Sequence, residues 1–268
     1  MAEGFTAVLT GASSGIGEAT ARRLALEPGA RLVLVARRQE RLTALARELG
    51  GASVLALDIT HFEAPGRIRE LLEREYAGEL HLLVNNAGAS WRGTFADTGW
   101  ANVERHMKLN FEAHVRVTEA LLPLLRRTAQ TQSGAPVAIV NVASTASRVS
   151  RPGAGAYSAS KFAMAGWSDA LAAEERPHGV HVGTVLPGFV ATEGFPATEL
   201  RARARTRWIV STPERVAEAI FDAGPRGKAE RYVPRFYWLA AAARLLAPAL
   251  VRRAVSGGAL TTAVKGEE

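Results

Sequence analysis

Short runs of apolar and β-branched residues recur along the chain and alternate with longer segments of helical periodicity. The runs are nearly continuous rather than interleaved with polar residues, which is typical of strands covered on both faces of a sheet. They span residues 5–10, 31–36, 52–57, 80–84, 137–142, 180–186 and, more weakly, 231–233. The pattern therefore predicts a set of buried strands.

The segments between these runs repeat apolar residues every three to four positions, as expected of helices that pack on a sheet. They span residues 16–27, 39–49, 63–76, 100–127, 156–176 and 214–223. Alternating strands and helices predict an α/β fold with a doubly wound parallel sheet and helices on both faces. Such sheets bind ligands beyond the carboxyl ends of their strands, so we expect functional residues in the loops after strands.

Two segments stand apart from this alternation. Residues 188–211 are rich in loop-forming residues and are predicted to form a substrate-binding lid. Residues 235–256 are predicted to form a C-terminal apolar helical extension. Its apolar stretch, 237–251, is 15 residues long and contains Arg244 and Pro248, so it is too short to cross a bilayer. We expect it to cover the core, the mouth of the site or a neighbouring subunit, with peripheral membrane contact as the alternative.

Length and composition narrow the class of protein to which the chain can belong. The 268 residues fit one α/β domain, predicted to span 1–268, and the absence of cysteine excludes disulfides, thiolate zinc sites and a cysteine nucleophile. The six histidines show no metal-binding spacing, so no metal is predicted. The net charge is +7, but no basic stripe is interleaved with aromatic residues, so no nucleic-acid partner is predicted. The N-terminus runs directly into the first strand without a signal-peptide pattern, and we expect a cytoplasmic protein.

A glycine-rich turn follows the first strand and precedes the first helix. It reads Thr10-Gly11-Ala12-Ser13-Ser14-Gly15-Ile16-Gly17. Glycines allow a tight turn and close approach of a diphosphate, whose charge is favoured by the amides of the helix start, so the turn predicts a dinucleotide site. Residues 11–15 also match the nucleophile elbow of an α/β-hydrolase, with Ser13 as the nucleophile, although only one short strand precedes it.

A second candidate motif lies farther along the chain. Tyr157 and Lys161 are one helical turn apart on a predicted helix, so their side chains project from the same face. A nearby ammonium favours the phenolate and lowers the pKa of a tyrosine toward the range in which it exchanges a proton with a substrate. Ser144 follows the fifth predicted strand, 13 residues before Tyr157. The alternatives are an exposed tyrosine–lysine contact for the pair and a capping role for Ser144.

Taken in their order along the chain, these motifs resemble those of the short-chain dehydrogenase/reductase family. The resemblance extends over residues 5–192. The matching positions are the glycine turn at 10–17, Asp58 after the third strand, Asn85-Asn86-Ala87-Gly88 after the fourth, Asn110, Ser144, the Tyr157 and Lys161 pair, Pro187-Gly188 and Thr192. The resemblance implies a single-domain Rossmann fold with a mostly parallel seven-stranded sheet in the order 3-2-1-4-5-6-7. It also implies assembly into a homodimer or homotetramer.

The resemblance further implies a reversible hydride transfer between a nicotinamide cofactor and a carbonyl compound or alcohol. Tyr157 would give a proton to the carbonyl oxygen, and Ser144 would hold that oxygen by a hydrogen bond. Lys161 would bind the nicotinamide ribose and lower the pKa of the tyrosine. Asn110 would position a water molecule of the proton relay; an asparagine bonded to the helix backbone is the alternative.

The end of the second strand indicates NADP(H) rather than NAD(H). Relatives that prefer NAD place an acidic residue there, whereas this chain has Ala36 followed by Arg37 and Arg38. Arg37, assisted by Arg38 and Ser13, is predicted to pair with a 2′-phosphate, and two surface arginines are the alternative. Asp58 would bind the adenine amino group or, alternatively, cap the next helix. By resemblance, the cofactor contacts are Gly11, Ser13, Ser14, Gly15, Ile16, Gly17, Arg37, Arg38, Asp58, Ile59, Asn86, Ala87, Gly88, Tyr157, Lys161, Pro187, Gly188 and Thr192.

Loop residues of largely apolar character are candidate walls of a substrate pocket: Ser90, Trp91, Phe95, Val149, Phe189 and Phe195. They predict a hydrophobic ketone, aldehyde or secondary alcohol as the substrate. The predicted class is an NADP(H)-dependent oxidoreductase, because all the candidate catalytic residues are present. An NAD(P)-sensing regulatory protein on the same fold and a hydrolase are the alternatives.

Overall fold

The protein is described by a computed structural model over residues 5–131, 136–193 and 207–256. Its strands are β1 (Thr6–Thr10), β2 (Arg31–Ala36), β3 (Ser53–Ala56), β4 (Leu82–Asn85), β5 (Val137–Val142), β6 (Val180–Pro187), β7 (Phe189–Val190), β8 (Val210–Ser211) and β9 (Glu230–Val233). Seven of them form a parallel sheet in the order β3-β2-β1-β4-β5-β6-β9. This order confirms the predicted doubly wound Rossmann-type sheet, with the weak last run as its edge strand.

Helices connect the strands and cover the sheet. They are α1 (Gly15–Ala25), α2 (Gln39–Glu48), α3 (Ala64–Tyr76), α4 (Phe95–Met107), α5 (Ala113–Thr131), α6 (Gly155–Glu175), α7 (Pro213–Ala223), α8 (Tyr237–Leu246) and α9 (Pro248–Ser256). Short 3₁₀ turns occupy Thr145–Ser147, Arg176–His178 and Arg207–Ile209. The alternation read from the sequence is therefore present, with boundaries shifted by a few residues.

Two hydrophobic clusters pack on the opposite faces of the sheet. Successive strand residues point to opposite faces, so Ala7 and Leu9 of β1 pack with α1, α2 and α7, whereas Val8 packs with α3 and α5. All three residues are buried. Apolar side chains are needed on both faces, which is why the strands read as continuous hydrophobic runs.

The segment predicted as one helix over 100–127 is interrupted in the structure. α4 ends at Met107, a π-helical turn occupies Lys108–Glu112, and α5 continues from Ala113. α4 also begins earlier than predicted and contains a kink at Gly99, where φ is 56°. The π-helical turn contains Asn110, and such turns re-aim side chains near functional sites.

The C-terminal segment packs against the loop that follows β6. Tyr237, at the start of α8, donates a hydrogen bond to the carbonyl oxygen of Ile209 at 3.1 Å, and its ring lies against Gly188. Large apolar side chains on α8 and α9 are exposed: Trp238, Leu239, Leu245, Leu246 and Leu250. Across the described ranges, the helices are too short or too polar to cross a membrane. Whether a subunit or a membrane surface contacts this segment remains at the stage of a prediction.

Candidate active site

The turn between β1 and α1 forms a backbone cradle. Gly11 and Gly15 have φ values of 70° and 55°, in the left-handed region that favours glycine. A Cβ at Gly11 would lie 2.8 Å from the Cα of Ala87, and one at Gly17 would collide with the carbonyl oxygen of Gly11. Ser14 is the N-cap residue of α1, and within the described chain its side chain caps none of the first-turn amides. Close backbone packing and uncapped amides fit the diphosphate of a dinucleotide.

The loop after β4 is tied to this cradle by Thr10. The Thr10 hydroxyl accepts hydrogen bonds from the backbone amides of Asn86 and Ala87 at 2.9 and 3.1 Å, and the Asn86 side chain donates to the Thr10 carbonyl at 3.0 Å. A Cβ at Gly88 would lie 3.6 Å from Lys161 Nζ. The loop therefore joins the cradle to the candidate catalytic residues.

Ser144, Tyr157 and Lys161 meet at the carboxyl end of β5. The Ser144 hydroxyl lies close enough to Tyr157 to act on its pKa, and it donates a hydrogen bond to the carbonyl oxygen of Pro187 at 3.3 Å. Lys161 Nζ donates to the carbonyl oxygen of Val142 at 2.8 Å and lies 6.0 Å from the Tyr157 ring centroid. A hydroxyl, a phenol and an amine thus converge beside the cradle, which is the set needed to hold a carbonyl oxygen and give it a proton.

The pKa of Tyr157 is shifted in the direction opposite to the lowering that the sequence predicted. Burial raises the pKa of Tyr157 above its ordinary value, and the nearby Ser144 hydroxyl and the charges of Arg151 and Arg92 act in the opposite direction. Lys161 is not among the groups that oppose burial, because its Nζ is turned toward the Val142 carbonyl. Burial also lowers the pKa of Lys161 to about 8. The two arginines beside Tyr157 are site residues that the sequence reasoning missed.

Asn110 connects the loop after β4 to α6. Its amide donates to the carbonyl oxygen of Ala89 at 3.0 Å and to the Ser160 hydroxyl at 3.1 Å, and its carbonyl accepts from the Ala89 amide at 3.0 Å. The side chain therefore fixes the loop against the helix that carries Tyr157. Its predicted part in a water relay remains a prediction.

His106 is a further neighbour of Tyr157 that had no signal in the sequence. Its Nε2 accepts a hydrogen bond from the Trp91 amide at 3.0 Å, so Nδ1 carries the hydrogen that is donated to the Asn102 carbonyl at 2.6 Å. Its ring stands edge-on to Tyr157 with the centroids 6.2 Å apart. Burial lowers the pKa of His106, so it is neutral and supports the tyrosine ring by packing.

Arg38, rather than Arg37, faces the cradle. Arg38 Nε donates to the Ser13 hydroxyl at 3.3 Å, and its Nη1 lies 3.2 Å from a carboxylate oxygen of Glu193. Arg41 of α2 binds the same carboxylate at 2.6 and 2.9 Å, and the two arginines lower the pKa of Glu193 to about 2. The pair forms a cationic site beside the cradle, and Arg41 was not predicted.

Arg37 and Asp58 lie near each other at the ends of β2 and β3. The Arg37 side chain is 78% exposed, and its Nη1 lies 3.8 Å from Asp58 Oδ2. Asp58 Oδ1 accepts hydrogen bonds from the amide and hydroxyl of Thr60 at 2.9 and 2.7 Å. The N-cap residue of α3 is Glu63, so Asp58 does not cap that helix. Ile59 is buried.

The loop after β6 brings one of its predicted residues, Thr192, to the cradle. Gly188 donates its amide to the Val233 carbonyl at 2.8 Å, and a Cβ at Gly15 would lie 3.0 Å from Thr192 Cγ2. β7 and β8 form a small parallel sheet that was not predicted. Residues 194–206 of the predicted lid, including Phe195, lie outside the described residues.

The other predicted pocket walls separate into two groups. Trp91 contacts His106 with ring centroids 4.9 Å apart, and Phe189 lies under the Arg151 guanidinium at 4.6 Å. Val149 is half-buried, whereas Ser90 and Phe95 are exposed. Trp91 is therefore linked to Tyr157 through the ring of His106, and Phe189 packs against Arg151.

Comparison with known proteins decides the family. A model of the short chain dehydrogenase family matches residues 5–201. The chain belongs to the short chain dehydrogenase family. This short chain dehydrogenase is 33% identical over 224 residues to a ketoacyl reductase, HetN, of Nostoc sp. strain PCC 7120, a match that covers 82% of the chain and 75% of HetN.

Two solved structures share the fold. The RhlG/NADP active-site complex of Pseudomonas aeruginosa matches with a TM-score of 0.75 and 28% identity, over 86% of this chain and 95% of that one. A short chain dehydrogenase of Burkholderia cenocepacia J2315 in complex with NADP matches with a TM-score of 0.77 and 26% identity, over 97% and 99% of the two chains.

Proposed function

We propose that this short chain dehydrogenase is an NADP(H)-dependent oxidoreductase that interconverts a largely hydrophobic ketone or aldehyde with the corresponding alcohol. The observation that carries the proposal is the convergence of Ser144 and Tyr157 beside the glycine cradle, with Lys161 one helical turn away. The two neighbouring structures described as NADP complexes support the choice of cofactor.

The cradle residues would hold the diphosphate, and Arg38 with Ser13 and Arg41 would hold the 2′-phosphate. Arginine pairs with a phosphate through charge-assisted hydrogen bonds, and Arg38 is already directed at the turn by its contact with Ser13. Arg37, with its exposed side chain, would contribute mainly charge. Asp58 and Ile59 would border the adenine.

The chain's own residues would then act on the substrate oxygen. When bound, the cofactor supplies the hydride in reduction and accepts it in oxidation. Tyr157 donates its phenolic proton to the carbonyl oxygen as that oxygen gains negative charge, and takes the proton back in oxidation. Ser144 donates a hydrogen bond to the same oxygen and fixes its position. Lys161, one helical turn from Tyr157, would hold the ribose hydroxyls.

The hydrolase alternative finds less support in the structure. A serine nucleophile needs a neighbouring general base, and the hydroxyl of Ser13 instead accepts a hydrogen bond from Arg38. A guanidinium stays protonated in proteins and cannot take that proton. Ser13 therefore fits a phosphate-binding role better than a nucleophilic one.

The experiment compares the wild type with Tyr157→Phe on a panel of ketones and aldehydes, with NADPH consumption as the readout. We expect Tyr157→Phe to lower kcat by about 1,000-fold, because general acid catalysis is lost while the ring packing is kept. Tyr76→Phe is the matched control, since the Tyr76 hydroxyl contacts Ser53 at the opposite end of the sheet, and it should retain activity. Full activity of Tyr157→Phe would refute the assigned proton donor.

Assembly and location stay predictions. The outward faces of α4 and α6 carry exposed aromatic side chains, Trp100 and Phe162, which suit the contact of a homodimer or homotetramer. Light scattering on the purified protein measures the assembly directly.

A further inference from the structure

The C-terminal segment, residues 235–256, is attached to the rest of the protein by the first turns of α8. Tyr237 donates a hydrogen bond to the carbonyl oxygen of Ile209 at 3.1 Å, and its ring lies against Gly188 in the loop after β6. Ala241, one turn farther along the helix, is buried. One side of α8 therefore packs on the protein, and the side chains on its other side form a fixed surface.

The outward side of α8 is apolar. Trp238 and Leu245 are seven residues apart, as are Leu239 and Leu246, so the members of each pair lie at nearly the same angle around the helix. The four side chains are 54%, 83%, 54% and 86% exposed in that order, and Leu250 of α9 is 69% exposed. Large apolar side chains exposed this close together mark a surface that binds a partner.

The charge of the segment has one sign. Residues 235–256 contain four arginines and no acidic residue, so they contribute +4 to the net charge of +7 of the chain. Arg235 precedes α8, Arg252 and Arg253 lie in α9, and all three are exposed. Among the described residues, none of the four arginines pairs with a carboxylate, whereas Arg69 of α3 binds the carboxylate one helical turn away at 2.8 Å.

These charges favour an anionic partner over a second copy of the chain. A two-fold contact would place the segment against itself and bring two sets of four arginines together, with no acidic residue of the segment to offset them. Leu250 and Arg253 are three residues apart and are neighbours on the surface of α9, so apolar and cationic side chains lie side by side. Tryptophan, as at position 238, suits the boundary between lipid headgroups and acyl chains.

We propose that residues 235–256 bind the surface of an anionic phospholipid bilayer. Trp238, Leu239, Leu245 and Leu246 enter the boundary between headgroups and acyl chains, and the arginines contact lipid phosphates. The helices lie on the bilayer, since α8 has 10 residues and α9 has 9. This binding goes beyond the proposed oxidoreductase function and does not depend on it. Because α8 contacts the loop after β6, the candidate active site is held close to the membrane.

The test mixes the full-length protein with extruded vesicles and measures the bound fraction by co-sedimentation. Vesicles of phosphatidylcholine with about 30% phosphatidylglycerol are compared with vesicles of phosphatidylcholine alone. We expect at least about tenfold stronger binding to the anionic vesicles, because each arginine near an anionic surface contributes about fivefold. High salt should weaken the binding. Equal binding to both vesicles, or no binding to the anionic ones, would overturn the proposal.

Leu246→Gln tests the apolar contact. It removes one inserted apolar side chain and should weaken binding to the anionic vesicles by about tenfold. Leu26→Gln is the matched control, because Leu26 follows α1, outside the segment, and is 75% exposed. The control should bind like the wild type.

The double variant Arg252→Gln/Arg253→Gln tests the charge. It should weaken binding by about 25-fold, or about fivefold for each arginine. Arg47→Gln/Arg67→Gln is its control and should leave binding unchanged. These two arginines are exposed on α2 and α3, which adjoin β3 in the chain, and β3 is at the opposite edge of the sheet from β9.

Two further results would overturn the proposal. If the control variants lose as much binding as the segment variants, another surface binds the vesicles. If the wild type does not bind vesicles and light scattering shows an oligomer that Leu246→Gln dissociates, a second copy covers the segment. The comparison of the two vesicles uses the wild type alone, so it decides even where a variant fails to fold.

Discussion

Cations occur in two regions of the cleft, and their surroundings are opposite. Arg38 and Arg41 lie after β2, are 43% and 49% exposed, and share the carboxylate of Glu193. Arg92, Arg151 and Lys161 lie around Tyr157, near the carboxyl end of β5. In the sheet, β5 lies three strand spacings from β2, a separation of about 14 Å. The Lys161 ammonium is buried, and burial lowers the pKa of all three groups.

The difference in exposure suits the two sets of cations to different tasks. An exposed arginine loses little hydration when it exchanges one anion for another, which suits reversible binding of a cofactor phosphate. A buried cation acts through a low dielectric on its neighbours, which suits control of a reacting oxygen. We therefore expect substitutions in the first region to change cofactor affinity and those in the second to change chemistry, specificity and pH dependence.

Among the cations of the two regions, the largest effect is expected for the buried Lys161. The pKa of Lys161 is lowered from 10.5 to about 8 in the folded protein, so the unfolded chain binds the additional proton between these values and folding stability rises with pH across that window. Below about pH 8 both states are protonated and the full cost of the buried charge is present. Relative to Lys161→Met, the wild type should gain about 3 kcal/mol of unfolding free energy between pH 8 and 10.5. Urea denaturation at several pH values measures this difference, and a constant difference would contradict the buried state of the amine.

A smaller effect is expected for Arg38→Ala in the exposed region. Loss of a charge-assisted contact to the 2′-phosphate should weaken NADPH binding by about 30-fold and leave NADH binding nearly unchanged. Arg37→Ala is the control, because the Arg37 side chain is 78% exposed, and it should change the NADPH dissociation constant by less than about threefold. Fluorescence titration gives both constants. A larger effect of Arg37→Ala than of Arg38→Ala would reverse the assignment.

The smallest effect is expected for Glu193→Gln. The carboxylate of Glu193 occupies Arg38 and Arg41, and a phosphate must displace it, so removing its charge should tighten NADPH binding by about threefold to fivefold. NADH carries no 2′-phosphate and should bind with unchanged affinity. Weaker NADPH binding in Glu193→Gln would show that the carboxylate supports the site instead of competing for it.

Much of the fold could be read from the sequence because buried parallel strands require apolar residues on both faces. The same reasoning missed the π-helical turn at Lys108–Glu112, since one added residue per turn leaves the apolar periodicity almost intact. β7 and β8 are two residues long, too short to give any periodic signal.

The candidate site was predictable where a motif fixes the spacing, as for Tyr157 and Lys161 on one helical face. Arg41, Arg92, Arg151 and His106 were not, because each reaches the site through a loop path or a helix orientation that only the tertiary structure defines. The direction of the Tyr157 pKa was missed for the same reason. Burial is a property of the packed cleft, and it outweighs the neighbouring charges.

The proposed function depends on the reduction of a carbonyl compound by hydride from NADPH, with Tyr157 as the proton donor. The measurement uses NADPH that carries deuterium at both positions of nicotinamide C4 and follows the alcohol product by mass spectrometry. We expect one deuterium at the carbinol carbon of the product with the wild type, and product formed about 1,000-fold more slowly with Tyr157→Phe. Product without deuterium at that carbon, or product formed equally fast by Tyr157→Phe, would contradict it.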